Sequence, residues 1–249
     1  MLAFTPQSPR EPCRAVIGEL PFPIPMTTLV PDLNKSNELY VEMTSIFASI
    51  SHLTKRLNGR SPSSSMDDLM IFGGMRSTLE NRLLTFKIRK PPAKMLILDY
   101  LLEACRLGAL LYMKYVFHAF QPTCPIVKKS KEHLKDLVKE GERRGFGNVD
   151  LQLRGAVLTW ALFMGGVVCL DEEEETWFAV RIVASTKSFH CSEPETWIDM
   201  EGYLRDVSCA ERLKTDECTS LWNRVQVIRE IGVEQSGFPT FPIYSCVGS

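Results

Sequence analysis

The sequence lacks closely spaced cysteines. Its eight cysteines are scattered along the chain, at Cys13, Cys105, Cys124, Cys169, Cys191, Cys209, Cys218 and Cys246. Structural zinc sites use cysteine pairs separated by about two to four residues, and no such pair occurs here. The amino-terminal residues also lack the apolar core of a secretory signal. We therefore predict reduced thiols rather than disulfides or zinc ligands.

The sequence has little net charge and no long apolar run. Its 29 lysines and arginines almost balance 30 aspartates and glutamates, which argues against broad electrostatic binding to nucleic acid. Residues 155–170 form the longest uncharged, mostly apolar stretch, whereas a membrane-spanning helix needs about 20 such residues. We predict neither direct DNA binding nor a membrane span.

Recognisable catalytic motifs are absent as well. The four histidines, His52, His118, His133 and His190, are far apart, and neither a His-Glu-x-x-His nor a Gly-x-Ser-x-Gly motif occurs. Because no nucleophile, base and orienting group can be named together, we predict that the protein is not an enzyme. We assign no catalytic, cofactor-binding or metal-ligating residues and expect no cofactor.

Prolines divide the chain into three parts. Residues 1–38 contain seven of them and are predicted to be a disordered or extended leader, because closely spaced prolines prevent regular structure. Residues 39–231 are predicted to form one helical regulatory-type domain. Residues 232–249, which include Pro239 and Pro242, are predicted to be an irregular tail.

The middle part of the chain shows clear helical periodicity. Apolar residues recur every three or four positions from Leu39 to Leu57, with Ser36 or Asn37 as the expected cap and Asn58-Gly59 as the stop. A second helix is expected from its cap at Ser65 to about Phe86. Its apolar positions include Leu69, Phe72, Leu79, Leu83 and Phe86, and Gly73-Gly74 could weaken or bend it.

The rest of the domain continues in the same way. Further helices are predicted over residues 93–120, 128–140, 151–169, 176–189, 192–207 and 217–231, with a charged loop at 141–148. The helix at 192–207 is expected to begin with Ser192 as the N-cap, followed by Pro194 and Glu195. We therefore predict an all-α protein of seven or eight helices, an irregular multi-helix bundle.

The stretch at 155–170, GAVLTWALFMGGVVCL, is the centre of this prediction. A helix that is apolar on nearly every face has to be buried in protein, so neighbouring helices are expected to surround it. Gly165-Gly166 within it is interpreted as a helix-end turn or a close-packing notch. A phosphate-binding loop would need further glycines ahead of a helix N-terminus.

Several residues allow two interpretations. The large aromatics could line a ligand pocket, but their helical spacing favours a core; they are Trp160, Trp177, Phe178, Trp197 and Trp222. The acidic run 171–175 is interpreted as a solvated loop before a helix N-terminus, with an interaction patch as the alternative. The basic runs 87–94 and 128–131 could serve nuclear import or simply be solvated surface. Cys246 stands in a poor prenylation box, and we expect no lipid there.

The order of the helical motifs resembles a known family. Residues 103–112 (EACRLGALLY) are followed by 158–166 (LTWALFMGG), an acidic loop, Trp177-Phe178, Trp197 and finally Leu221-Trp222. This series, over about residues 95–228, resembles the fungal-specific transcription factor domain, the helical regulatory region of fungal zinc-cluster activators. In that family a DNA-binding zinc cluster of six closely spaced cysteines precedes the helical region, and this sequence departs from the family by lacking it.

The resemblance implies a nuclear protein that regulates transcription through protein partners, such as the transcription machinery or a homologous subunit. Dimerisation through an exposed apolar helix face and a small-molecule effector are both compatible with it. Two other hypotheses stay open. One is a helical small-molecule-binding or enzymatic protein with a tryptophan-lined pocket, and the other is a truncated or degenerate paralogue. A cytoplasmic location is the alternative to the nucleus.

Overall fold

Helices make up all the regular structure of the described residues, so the prediction of an all-α fold is confirmed. The computed structural model describes residues 33–59, 65–86, 88, 95–144, 151–186, 194–208 and 216–232, and no strand occurs within these ranges. The helices are α1 (Leu33–Asn58), α2 (Met66–Thr85), α3 (Ile97–Tyr112), α4 (Pro125–Arg143), α5 (Leu151–Val167), α6 (Glu172–Thr186), α7 (Trp197–Ser208) and α8 (Asp216–Ile231). The predicted leader up to residue 32 and the tail from residue 233 lie outside the described residues.

Helix α5 is the central element, as its uniform apolarity predicted. It packs against α3, α6, α7 and α8, and every residue from 158 to 168 is buried. Trp160 and Phe163 are fully inaccessible to solvent. Burying large side chains of this kind contributes most of the stability of a helical core, at about 1.5–3 kcal/mol for each fully buried side chain.

Glycines allow the helices around α5 to approach closely. A Cβ on Gly108 of α3 would lie 2.9 Å from the Cα of Ala161 on α5. A Cβ on Gly165 would lie 2.4 Å from the Phe178 ring, and one on Gly166 would lie 2.6 Å from a methyl of Leu221. Of the two structural interpretations of Gly165-Gly166, the close-packing notch is therefore the observed one.

Helices α1 and α2 form an antiparallel hairpin against α3. The predicted inward positions Met43, Ile46, Phe47, Ile50 and Leu53 are almost completely buried. Helix α1 nevertheless begins at Leu33 rather than near Leu39, because no proline occurs after Pro31 to stop it from extending. The expected cap positions Ser36 and Asn37 therefore lie within the helix.

Helix α2 begins as predicted. The Ser65 side chain accepts a hydrogen bond from the backbone N–H of Asp68 at 3.1 Å, which makes Ser65 the N-cap. Gly73-Gly74 does not interrupt the helix. Of the apolar positions, Phe72, Leu79, Leu83 and Phe86 are buried, whereas Leu69 is 40% exposed. The periodicity of α2 is ambiguous because apolar residues occupy both of its faces near the N-terminus.

Helix α3 is shorter than predicted and ends in an unexpected way. It begins at Ile97, where the Asp99 carboxylate accepts the backbone N–H of Leu96 at 2.7 Å, and passes at Met113 into one π-helical turn, Met113–Phe117. Ala119 then takes a φ of 51°, and the N–H of Phe120 reaches back to the carbonyl of Lys114 at 3.0 Å. A left-handed residue at this position resembles the usual helix C-cap, which favours glycine.

Replacing Ala119 by glycine should therefore stabilise the protein. The left-handed conformation costs an L-residue roughly 1 kcal/mol, and glycine adopts it without that penalty. We expect Ala119→Gly to raise the free energy of unfolding by about 1 kcal/mol in chemical denaturation. Ala48→Gly, in the interior of α1, is the control and should have the opposite sign. A loss of stability in Ala119→Gly would contradict this account of the turn.

Three other helices have boundaries that differ from the sequence expectation. Helix α4 begins at Pro125, a favoured first-turn residue, and extends through Gly141 to Arg143, where a loop was predicted. The acidic residues from Glu172 on form the first turn of α6 rather than a loop, since Asp171 accepts the N–H of Glu174 at 2.8 Å and caps the helix.

The third difference concerns the start of α7. The predicted N-cap Ser192 lies outside the described residues, and Pro194 and Glu195 precede the helix instead of opening it. Thr196 and Asp199 form a reciprocal capping box, with the Thr196 N–H donating to Asp199 at 2.9 Å and the Asp199 N–H donating to Thr196 Oγ1 at 3.2 Å. The Thr196 hydroxyl also donates to the Asp199 carboxylate at 2.8 Å, and this bond, together with the one from the Thr196 N–H, holds the pKa of the Asp199 carboxyl below its usual value.

Candidate interaction surface

Helix α2 presents an apolar surface to solvent. Met66 and Met70 are each 71% exposed, and Leu69 and Ile71 lie beside them, also exposed. Further along the helix the exposed residues are Gly74, Ser77, Thr78, Asn81, Leu84 and Thr85. We call the exposed residues from Leu69 to Thr85 the α2 face. All of them are uncharged, which is unusual because the outward side of a surface helix ordinarily carries charged residues.

The charged residues of this part of α2 are held at its two edges. Arg82 donates to the Glu42 carboxylate of α1 at 3.0 Å and to Ser45 at 2.9 Å. On the other edge, Arg76 donates to the carbonyl of Phe117 at 3.2 Å. Because these groups bind α1 and the π-helical turn, they fix the orientation of α2 and leave the α2 face without charge.

A second polar cluster anchors the same edge of α2. One oxygen of Glu80 is paired with Lys114, and the other lies 3.0 Å from His118 Nε2. Burial lowers the pKa of His118, and the positive charges of Arg76 and Lys114 lower it further. The single carboxylate compensates the ammonium of Lys114, so His118 is neutral at pH 7 and donates its Nε2 hydrogen to Glu80. The arrangement locks α2 to the π-helical turn.

A cleft of about 470 Å³ lies between the end of α2, α3 and α4. It is lined by Leu84, Phe86, Ile88, Met95, Tyr100, Glu103, Arg106, His133, Asp136, Leu137 and Glu140. Its floor is apolar. Two of its carboxylates are already paired, since Arg106 donates to Glu103 at 2.8 Å and Arg144 donates to Glu140 at 2.6 Å. None of the lining residues is a tryptophan, so this cleft is not the tryptophan-lined pocket considered above.

The tryptophans are packed into the protein, as the core interpretation predicted. Trp160 makes an edge contact with Phe47 at a centroid distance of 5.1 Å, and Trp197 stacks on Phe163 at 5.9 Å. Phe178 is fully buried, and Trp222 is 3% exposed. Trp177 packs at the edge of the core, with the guanidinium of Arg181 3.7 Å from its ring centroid.

The remaining charged motifs of the sequence are the acidic run 171–175 and the two basic runs. Glu174 of the acidic run is paired with Lys131 and with Lys135, the latter at 3.3 Å. The basic run 128–131 lies on α4, where Lys128 and Lys129 are exposed and Lys131 is 3% exposed. The run 87–94 is outside the described residues except for Ile88, and Cys246 is outside them altogether.

The described cysteines are free, as predicted. Cys105, Cys124, Cys169 and Cys218 form no disulfides. Burial raises the pKa of the Cys105 thiol and raises that of Cys169 to about 12, so both are protonated and unreactive at neutral pH. Over the part of the chain that the structure describes, no three His, Cys, Asp or Glu side chains are grouped to hold a metal. None of the described helices combines the length and apolarity needed to cross a membrane.

Comparison with known families agrees with the helical motifs. The model of the family described as fungal specific transcription factor domain matches residues 39–196, more than half of the chain. The chain belongs to this family. No curated protein and no solved structure matches it. Membership in the family indicates a regulatory role in transcription and a nuclear location, and the family is one of transcription-factor domains rather than of enzymes.

The family match corrects the extent of the resemblance. It begins at Leu39 rather than near residue 95, so most of α1 and the whole of α2 belong to the family region. It ends at Thr196, so Trp197, Leu221 and Trp222, which the sequence comparison included, lie beyond it. Helix α8 nevertheless packs against α6, and Trp222 lies 6.4 Å from Trp197. The transcription factor domain and the two last helices therefore share one core.

Sequence reasoning expected an exposed apolar helix face but did not locate it. The available signal was the run Leu69-Met70-Ile71-Phe72, in which four consecutive apolar residues cannot all face inward on one helix. The deciding information is tertiary, because only the packing of α1 and the π-helical turn determines which side of α2 is covered.

Proposed function

We propose that this protein regulates transcription through protein–protein contacts made by the α2 face, without DNA contacts from its own residues. The observation that carries the proposal is the cluster of exposed apolar side chains at 69–71, followed by uncharged exposed residues up to Thr85, within a transcription factor domain. Contiguous exposed apolar residues of this kind mark interaction sites in soluble proteins.

The composition of the α2 face suits a helical contact. Met70 lies one turn from Met66, which is exposed just before the face, and Leu69 and Ile71 widen the apolar band at the same end. Methionine side chains are flexible and polarizable, so they adapt to differently shaped partner surfaces. Apolar anchors spaced by three or four residues are the usual pattern in helix-mediated recognition.

The support beneath the face favours binding as well. The ion pairs of Arg82 with Glu42 and of Glu80 with Lys114 hold both edges of α2, and Ser65 caps its start. A helix that is already fixed in its binding conformation loses less conformational entropy when a partner binds.

A tethered-reporter experiment tests this function. The full chain is fused to an unrelated DNA-binding module, and transcription of a reporter is measured for the wild type and for the variant Met70→Glu/Ile71→Lys. We expect the wild-type fusion to change reporter output and the variant to lose that effect. Truncating two central anchors typically costs about 2 kcal/mol or more, which is roughly 30-fold in partner affinity.

The control is a charge at an exposed apolar residue on another helix. Ile198→Glu on α7, where the side chain is 76% exposed, should leave reporter output unchanged. All three proteins should show the same cooperative melt, because none of the substituted side chains is buried. A wild-type fusion without effect, or a Met70→Glu/Ile71→Lys fusion that keeps the full effect, would refute the proposal.

A further inference from the structure

We infer that Arg76, Lys114 and His118 form a binding site for a small tetrahedral oxyanion, such as inorganic phosphate. They lie where α2 meets the π-helical turn, together with a single carboxylate, that of Glu80. The site is separate from the α2 face, so the inference goes beyond the proposed function and does not depend on it.

The charges of this cluster do not balance. Both carboxylate oxygens of Glu80 are used, one by Lys114 and the other by His118 Nε2 at 3.0 Å. Arg76 lies one helical turn before Glu80 on α2, but it forms no ion pair with Glu80 or with any other carboxylate of the described residues. With Arg76 and Lys114 positive, Glu80 negative and His118 neutral, the cluster carries one net positive charge.

Arg76 also has unused hydrogen-bond donors. Its guanidinium donates from Nη1 to the carbonyl of Phe117 at 3.2 Å, whereas its Nε is buried without an acceptor among the described residues. The Nε groups of Arg224 and Arg229 lack an acceptor as well, yet Arg224 pairs with Glu175 and Arg229 donates through both terminal nitrogens. A partly buried guanidinium without a counter-charge is costly, and oxyanions are the acceptors that match its planar donors.

Most of the other arginines show the pairing that Arg76 lacks. Those that pair with a carboxylate are Arg56, Arg82, Arg106, Arg143, Arg144, Arg181 and Arg224. The missing counter-charge is therefore specific to this place in the fold, at the junction of α2 with the π-helical turn.

A small ion can reach the cluster, and a large one cannot enter it easily. The side chains of Glu80 and His118 are 17% and 18% exposed, and Lys114 is almost completely buried. The Phe120 ring forms one wall, 5.2 Å from the His118 ring and 5.4 Å from Lys114 Nζ between centroids and atom. Several donors beside a surplus of positive charge favour a doubly charged anion with many acceptor oxygens over a singly charged carboxylate.

Binding of a dianion should change the titration of His118. Burial lowers the pKa of His118, and the positive charges of Arg76 and Lys114 lower it further. Burial lowers the pKa of Lys114 as well, the Cys124 thiol at the start of α4 raises it, and Arg76 lowers it. An added negative charge opposes the effect of the two cations, so anion binding should raise the pKa of His118, and protonation of His118 should strengthen anion binding.

An NMR titration of the His118 ring in the full chain tests the site, with sodium sulfate as the probe at constant ionic strength. Sulfate keeps its double charge throughout the range in which histidine titrates, so the probe itself does not change. The His118 signal is the one that is absent from His118→Gln. We expect sulfate to raise the pKa of His118 in a saturable way, and acetate to bind at least about tenfold more weakly.

Three variants show whether the unpaired guanidinium is the cause. Arg76→Gln should raise the pKa of His118 without sulfate and weaken sulfate binding by at least about tenfold, whereas Arg76→Lys keeps the charge and should retain most of the binding. Arg143→Gln removes an exposed positive charge paired with Glu140 and is the control, which should bind sulfate as the wild type does. Equal cooperative melts without sulfate would show that all three variants are folded.

The inference would be overturned by a pKa of His118 that sulfate does not change in the wild type. The same conclusion would follow if sulfate changed this pKa equally in Arg76→Gln, because the effect would then be one of general ionic conditions. Acetate binding as tightly as sulfate would overturn the assignment to a tetrahedral oxyanion.

Discussion

Replacing Glu142 by leucine should lower the free energy of unfolding by about 3 kcal/mol, at the lower end of the range for breaking a buried ion pair. Glu142 of α4 accepts hydrogen bonds from Arg181 of α6, from Nε at 2.7 Å and from Nη2 at 3.1 Å. The Arg181 side chain is only 6% exposed, so the substitution would leave a buried guanidinium without its counter-charge. The Glu142 side chain is 20% exposed, so water can reach this site and moderate the loss of stability.

Two further variants show whether the cause is the uncompensated charge. Arg143→Ala breaks the neighbouring pair with Glu140, in which the arginine side chain is 73% exposed, and should leave the melting temperature unchanged. The double variant Glu142→Leu/Arg181→Met removes both charges and should recover most of the lost stability. Chemical denaturation with equal slopes for all variants is the measurement. A Glu142→Leu protein as stable as Arg143→Ala would contradict the role of this pair.

Gly108→Ala should be the second severely destabilising substitution, although alanine is the better helix former. The added Cβ would lie 2.9 Å from the Ala161 Cα and 3.0 Å from the Trp160 ring, which forces α3 away from α5. Inserting one carbon into a well-packed core costs about 1–3 kcal/mol. The backbone of Ala161 cannot rotate away as a side chain can, so we expect the upper part of that range.

A matched substitution isolates the packing effect. Gly202 also lies inside a helix, and a Cβ there would meet nothing within 4 Å. Gly202→Ala should therefore gain the intrinsic helix preference of alanine, about 0.5–1 kcal/mol, with no opposing clash. Because the preference is common to both positions, the difference between the two variants reports the contact of α3 with α5. Equal effects at the two positions would show that α3 and α5 are free to separate.

Periodicity and composition were sufficient for the fold class. The apolar positions of α1 recur at helical spacing, and a stretch as uniformly apolar as α5 has no stable place except the interior. Cap residues were less reliable. Ser65 caps α2 as predicted, whereas Thr196 with Asp199 opens α7, because several polar residues near a helix start compete and the packing of the following helix selects among them.

The sequence predicted that an apolar helix face could be exposed, but not which helix carries it. Leu69-Met70-Ile71-Phe72 shows that some apolar side chains of α2 must be exposed, but the choice depends on contacts with residues far away in the chain. Phe72 is buried beside Phe117, at a ring centroid distance of 6.0 Å, which turns Met70 and Ile71 outward. The π-helical turn that carries Phe117 has no sequence signature, so no local rule could have placed it.

The sequence by itself determined that this protein is helical and that its middle stretch is buried, because helical spacing and uniform apolarity are properties of neighbouring residues. The order of its helical motifs was enough to show the resemblance to a transcription factor domain. Tertiary structure alone decided which charges are neutralised, which glycines are required and which face of α2 is left exposed. Those properties depend on residues about forty positions apart, such as Glu142 with Arg181 and Arg82 with Glu42. Such residues are brought together only when the helices pack around α5.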